Sequence, residues 1–397
     1  KPIWVGCDKN LPERICTRFK ESLPGEPFRF TEHKRVAKLL LTLHRPAKSI
    51  ELGHWFLAQV IPFKSAHEGL SLLALKAIWR GQKHRKGGWL WTTEESYSLL
   101  KTHWGTPSRL VRKLGLGKFT EKMEKRGNRG VISFDQLQPQ WKVTQLAKKS
   151  LFVQGSEREL KHYPLRFPIY LTDRNCESCL EKARKTFSRI SNRNSEELTV
   201  VMLTGVSALS LGVAQLIETR GTSYPISNLR QVFKGSDFIH VSNEASFQPT
   251  CDSEDSMPYC SRDFYLEVFR HLGINIIEMT GSHLMTHGAR WFEHSLKLFK
   301  NHSMQWYGGG STRGKASAPL LLNKNANKIA LLGCNARPPE EAIAKGRKPG
   351  ISECNEDALL HQIKKLKSEG YAVIITVKSP GKAVSKPPRL QKALFRK

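Results

Sequence analysis

Five short polar groupings in this chain carry side chains that can do chemistry. They are Thr204-Gly205, Asn243-Glu244, Gly281-Ser282-His283, Asn335 and Lys378-Ser379, and each closes a run of apolar residues. One carboxylate, two amides and an imidazole brought to one place suit a hard or borderline divalent cation with oxygen and nitrogen ligands. Taken singly, each group reads as an ordinary turn where a strand gives way to a helix, since Asn, Ser and Thr favour such positions. The metal reading therefore rests on the set.

The elements needed to gather that set are legible. Phe238–Val241 and Ile274–Met279 are almost wholly apolar, as strands covered on both faces are. Between residues 198 and 377 strand-like and helix-like stretches alternate: strand 198–203, helices 206–219 and 226–233, strand 238–241, helix 262–272, strand 274–279, helix 290–299. Paired strands at 320–322 and 328–332, helix 356–368 and strand 372–377 complete the series. Such alternation predicts βαβ units and a mostly parallel sheet, with ligands beyond the carboxyl ends of the strands. Residues 1–165 show the same alternation on a smaller scale and predict a separate α/β domain. The polar, charge-rich stretch around 175–197 predicts a linker over 166–197.

Other motifs are weaker. Cys251 and Cys260 flank an Asp-, Ser- and Pro-rich loop, a natural disulfide in an oxidising compartment, and Cys176-Glu-Ser-Cys179 has no second CxxC at zinc spacing. The run Gly309–Lys315 matches GxxxxGK, but Ala316 stands where a Ser or Thr should bind magnesium, and Pro319 opposes a following helix. His283 and His287 are four apart, but Gly281 and Gly288 bracket them, which predicts a loop.

With 64 Lys+Arg against 35 Asp+Glu, the formal charge is +29. Such a chain attracts polyanions. The basic residues are spread throughout instead of forming one stripe, so no specific nucleic acid is expected as partner. Trp79, Trp89 and Trp91 around the basic loop 81–88 read as buried rings in preference to a base-stacking platform. No apolar run approaches the roughly 20 residues of a membrane span. The chain opens on Lys1, so membrane or cell-wall association is expected only through a missing N-terminal segment.

The runs VVMLTGVSAL, YPISNL, FIHVSNEASF, LGINIIEMTGSH, WYGGG, KIALLGCNARPP and IKKLKSEGYAVIIT keep an order and spacing similar to the CapA-like poly-gamma-glutamate (capsule) biosynthesis family. Its domain resembles a calcineurin-like metallophosphoesterase. The resemblance implies an α/β fold with a mostly parallel sheet sandwich over 198–397, C-terminally incomplete. It implies Asn243, Glu244 and His283 as metal ligands, and Glu244 and His283 as the catalytic pair, holding Mn, Fe, Mg or Zn. LLALKAIWRG and ISFDQLQPQWKV resemble an accessory domain similar to a periplasmic solute-binding lobe. This chain departs from the family pattern at Thr204-Gly205, Ser282, Thr286 and Lys378, so the metal set is short of partners. The implied role is extracytoplasmic: making or processing an anionic polymer such as poly-gamma-glutamate, by metal-dependent hydrolysis or, alternatively, by polyanion binding without catalysis. Nucleic-acid binding ranks last.

Overall fold

The computed structural model describes residues 1–82, 88–125, 127–152, 160–251 and 259–379. The chain divides into two units, Lys1–Asn194 and Ser195–Lys397.

In the first unit, β1 (Ile3–Cys7), β2 (Phe28–Phe30), β3 (Leu39–Thr42), β4 (Ser49–Pro62), β5 (Leu90–Thr93), β6 (Val111–Leu114), β7 (Arg129–Ser133) and β9 (Arg166–Asp173) form one mixed sheet. Its order is β2-β1-β3-β9-β4-β7-β5-β6, and β8 (Trp141–Val143) and β10 (Ile190–Ser191) also pair with β4. The central β4 reads SIELGHWFLAQVIP and is buried along nearly its whole length, as a strand covered on both faces must be.

The linker expected at 166–197 is corrected here. β9 pairs with both β3 and β4, and helix Glu177–Thr186 buries Cys179, Leu180 and Ala183. The unit boundary falls after Asn194 instead. Along β9, Phe167, Ile169 and Leu171 point into the core between more polar neighbours. That period-two pattern is a strand with one apolar face.

The second unit has two main sheets. β11 (Val201–Ser207), β12 (Phe238–Asn243), β15 (Ile276–Glu278) and β16 (Gln305–Tyr307) form an all-parallel sheet in the order β11-β12-β15-β16. β18 (Leu320–Lys324), β19 (Asn327–Asn335) and β21 (Ala372–Lys378) form the other, with β18–β19 antiparallel and β19–β21 parallel. Two short pairs complete the strands: β13 (Ser246–Gln248) with β14 (Cys260–Arg262), and β17 (Gly309–Gly310) with β20 (Gly350–Ile351).

Alternation decides the layering. Ile239, Val241, Ile277 and Met279 pack on helices Leu211–Arg220, Leu266–His271 and Ala289–Asn301. Residues on the opposite face, Ile276 and Tyr307, pack with Leu322, Ile329 and Leu331 of the second sheet. Leu366 of helix Glu356–Ser368 covers that sheet's far side over Ala330 and Leu332. The unit is a helix–sheet–sheet–helix stack, and the expectation of a mixed α/β architecture holds.

Several local expectations shift. β11 runs on to Ser207 through a bulge between Leu203 and Val206, so Thr204 lies inside the strand and not at its end. Helix Arg313–Ser317 does begin within the GxxxxGK run, capped by the Thr312 hydroxyl, although it lasts five residues. Trp79 is buried as expected, but Trp89 is 42% exposed and Trp91 only partly buried, which corrects the expectation for those two; much of the basic loop beside them (83–87) lies outside the described residues.

Candidate functional site at the meeting of two sheets

The carboxyl ends of β12, β15, β19 and β21 come together. Glu244 directly follows β12, and its N–H donates to Ser207 O at the end of β11 (3.0 Å). The segment 281–283 then crosses this end: Ala245 and His283 form an isolated parallel bridge, and Ser282 N–H donates to Glu244 Oε1 at 3.2 Å. Gly281 makes the crossing feasible, because a Cβ there would lie 2.5 Å from Asn243 O and 2.7 Å from Glu244 Cα. From the second sheet, Asn335 closes the corner. It is buried, donates from Nδ2 to Thr280 O (2.9 Å), and accepts at Oδ1 from Arg337 N–H.

Lys378 stands beside Asn335 in register on β21. Its Nζ reaches across to Glu244 Oε2 at 2.6 Å, with the two side chains 19% and 11% exposed. An ion pair this enclosed binds its partners tightly to one another, since removing either leaves a charge without water or counterion. Both Glu244 oxygens thus have protein donors.

Asn243 is fully buried. Its Nδ2 donates to Ala245 O at 2.7 Å, and its Oδ1 has no partner among the described residues. His283 is half-buried, with its ring stacked on Tyr259 at 3.8 Å between centroids and its Nδ1 3.4 Å from Thr286 Oγ1. Tyr259 is carried into β14 next to Cys260, which is bonded to Cys251.

Beneath this corner lies a polar cluster that motif reading passes over. Between the two sheets, Glu278 accepts from Thr280 Oγ1 (2.6 Å) and lies 3.6 Å from His240 Nε2. The Tyr307 hydroxyl bonds His240 Nε2 and Thr376 Oγ1, each at 3.0 Å. Burial pushes the Glu278 carboxyl up, but the donors around it, His240, the hydrogen-bonded Thr280, Thr376 and Ser242, outweigh it and hold the pKa below the ordinary value. Burial, reinforced by the charge of Glu278, pushes the Tyr307 hydroxyl upward, so it stays a neutral donor. The available signal was a glutamate inside an otherwise apolar strand run, IIEM.

The structure therefore gathers Asn243, Glu244, Ser282, His283, Asn335 and Lys378 from the five groupings, and leaves out Thr204. The Thr204 hydroxyl donates to His240 O at 2.8 Å and serves the β11 bulge. His287 lies in the same turn as His283, and its Nε2 has no partner among the described residues.

The donor set can be tested against the expected divalent cation. Such a cation needs several anionic or imidazole ligands held open to it. Among the described residues the one carboxylate of this set is spoken for by an ammonium group. Among the described residues no group of three or more His, Cys, Asp or Glu could hold a metal ion. Asn243 Oδ1 alone is a ready oxygen ligand. The set does not fit a resident divalent metal.

Residues 200–397 match the family model described as bacterial capsule synthesis protein PGA_cap. Among curated proteins, the capsule biosynthesis protein CapA of Bacillus anthracis is 24% identical over 199 residues, 47% of this chain and 47% of that protein. The chain thus spans about half the length of the curated relative it matches. Solved structures similar to this chain include a putative phosphate transporter substrate-binding protein with bound phosphate from Clostridium perfringens, at TM-score 0.34 and 10% identity, covering 48% of this chain and 100% of that one. Another is a phosphate transport receptor from Vibrio cholerae, at TM-score 0.35 and 15% identity, covering 47% and 100%. At these scores neither a fold nor a ligand follows from the likeness. By the match over residues 200–397 and its curated relative, the chain belongs to the CapA-like bacterial capsule synthesis protein family.

Proposed function

We propose that this protein takes part in making or processing an anionic capsule polymer such as poly-gamma-glutamate, and that its second unit handles the polymer by binding its carboxylates instead of by metal-dependent hydrolysis. The observation that weighs against hydrolysis is the Glu244–Lys378 ion pair, which occupies the carboxylate that a metal would need among the described residues of the site. Family membership and the relative's role in capsule biosynthesis support the first half. The net charge of +29 supports a polyanionic partner.

The helix–sheet–sheet–helix stack supports a metallophosphoesterase-like reading of the second unit, and the mixed sheet of the first supports a solute-binding-like lobe. An extracytoplasmic location is supported by cysteine usage: all eight cysteines are paired, as Cys7–Cys16, Cys176–Cys179, Cys251–Cys260 and Cys334–Cys354. Oxidising compartments favour such pairing. Among the described residues no helix is long and apolar enough to cross a membrane.

The test is binding of poly-gamma-glutamate and of DNA to the full chain across a salt series. Retained affinity for the polyglutamate at salt that releases DNA supports the reading. Equal release of both reduces it to bulk charge attraction and overturns it. The rival reading, hydrolysis with Asn243 and Glu244 as ligands and His283 as the acid, draws on the orphan Asn243 Oδ1. It predicts polymer shortening with Mn²⁺ that Glu244→Gln abolishes.

A further inference from the structure

We infer that Lys378 is a tethered cation standing in for a metal, and that it keeps divalent ions out of this site. The inference rests on the reading above only for the location of the site, and polymer binding has no part in it.

Three observations carry it. Lys378 Nζ lies 2.6 Å from Glu244 Oε2, within direct ion-pair contact, and the pair is largely enclosed. The lysine is anchored by its backbone: it ends β21, is paired in register with Asn335, and its carbonyl accepts from Ala336 N–H at 2.8 Å. Asn243 Oδ1 is buried without a partner among the described residues, one residue before the neutralised carboxylate.

Together these describe a corner with the oxygen ligands for a cation and a cation already supplied by the chain. A dication approaching Glu244 meets an ammonium group at contact distance. It must either displace that group, breaking an enclosed ion pair, or bind beside it against like-charge repulsion. Without the ammonium, Glu244, Asn243 Oδ1 and His283 remain at one strand end, joined by the Ala245–His283 bridge and by the Ser282 N–H that fixes Glu244 Oε1. One carboxylate, one amide oxygen and one imidazole, completed by water, make an ordinary mixed O/N site for a borderline metal. Among the described residues, the Lys378 ammonium is thus the group that stands between these donors and a divalent cation.

The test is Mn²⁺ binding to the full chain, by titration calorimetry and by electron paramagnetic resonance of free Mn²⁺. Wild type and Lys378→Arg, which keeps the charge, should bind no stoichiometric Mn²⁺ up to about millimolar concentration. Lys378→Gln should gain one Mn²⁺ at least about tenfold tighter, and Glu244→Gln added to it should remove the gain. Stoichiometric binding by wild type that Glu244→Gln abolishes overturns the inference, and this comparison needs no Lys378 variant to fold. A folded Lys378→Gln protein that gains nothing overturns it as well. Failure of the polyglutamate experiment with metal exclusion intact sinks the functional reading alone.

Discussion

Each unit buries a glutamate among hydrogen-bond donors, and the two are poised in opposite directions. In the first unit Glu95 lies in the first turn of helix Glu94–Trp104, accepting at Oε1 from Trp55 Nε1 (2.5 Å) and Ser133 Oγ (2.8 Å). Arg14 Nε is 3.1 Å from its Oε2, near enough for an ion pair but not aligned as a hydrogen bond. That arginine is shared with Asp135. Burial is the largest influence on Glu95 and the nearby Asp135 charge adds to it, so its pKa rises despite Ser133, Trp55 and Arg14. Glu278 in the second unit is buried as well, yet more donors converge on it and its pKa falls. Burial alone therefore does not fix a carboxyl's charge. What matters is whether the surrounding donors outnumber the penalty and whether another acid competes for them.

The contrast can be broken most forcefully at Glu278. Replacing it with Ala strips His240 and Thr280 of their acceptor inside a closed interior, and should destabilise the second unit by about 3–5 kcal/mol. Urea unfolding, read through amide exchange along β15 and β16, measures this. A loss below about 1 kcal/mol would mean the cluster is not a charged network.

A second, smaller effect is in the pH response. Glu278 titrates below the ordinary 4.5 when folded, so its contribution is complete above that value and fades as pH falls through the lower folded pKa. Glu95 titrates above 4.5 when folded, so its contribution is complete below that value and fades as pH rises through the raised folded pKa. Acidification from neutrality should therefore favour the surroundings of Glu95 first, and below about 4.5 it should weaken those of Glu278. Parallel loss of exchange protection around both residues would remove the distinction.

The smallest expected change is Glu95→Gln. A neutral amide keeps an acceptor for Trp55 and Ser133 and removes the repulsion from Asp135, so stability at pH 7 should stay within about 1 kcal/mol of wild type. A loss matching that of Glu278→Ala would show that the Arg14 contact, and not burial, dominates at this position.

Much of the site was legible before any fold was known. Asn243, Glu244, Ser282, His283 and Asn335 each follow an apolar run, and period and composition are enough to mark the end of a buried strand. Thr204 was misassigned because a bulge adds residues to β11 without any local composition signal. Around 175–197 the net polarity hides the buried Cys179, Leu180 and Ala183 of helix Glu177–Thr186, so composition alone reads as a linker. Lys378 was visible as a departure from the family pattern, yet nothing around it names its partner.

The amino-acid order alone thus dictates which residues end strands, which faces are apolar, and that the whole chain is strongly basic, since these follow from local composition and a short period. The meaning of the ends is decided in three dimensions. Glu244 and Lys378 are 134 positions apart, and they meet at 2.6 Å only because β12 and β21 belong to two sheets whose ends converge. A carboxylate reads as a metal ligand until its neighbour is known. Its charge is then set by whichever cation lies closest in the low-dielectric corner, a distance that packing fixes and sequence separation does not.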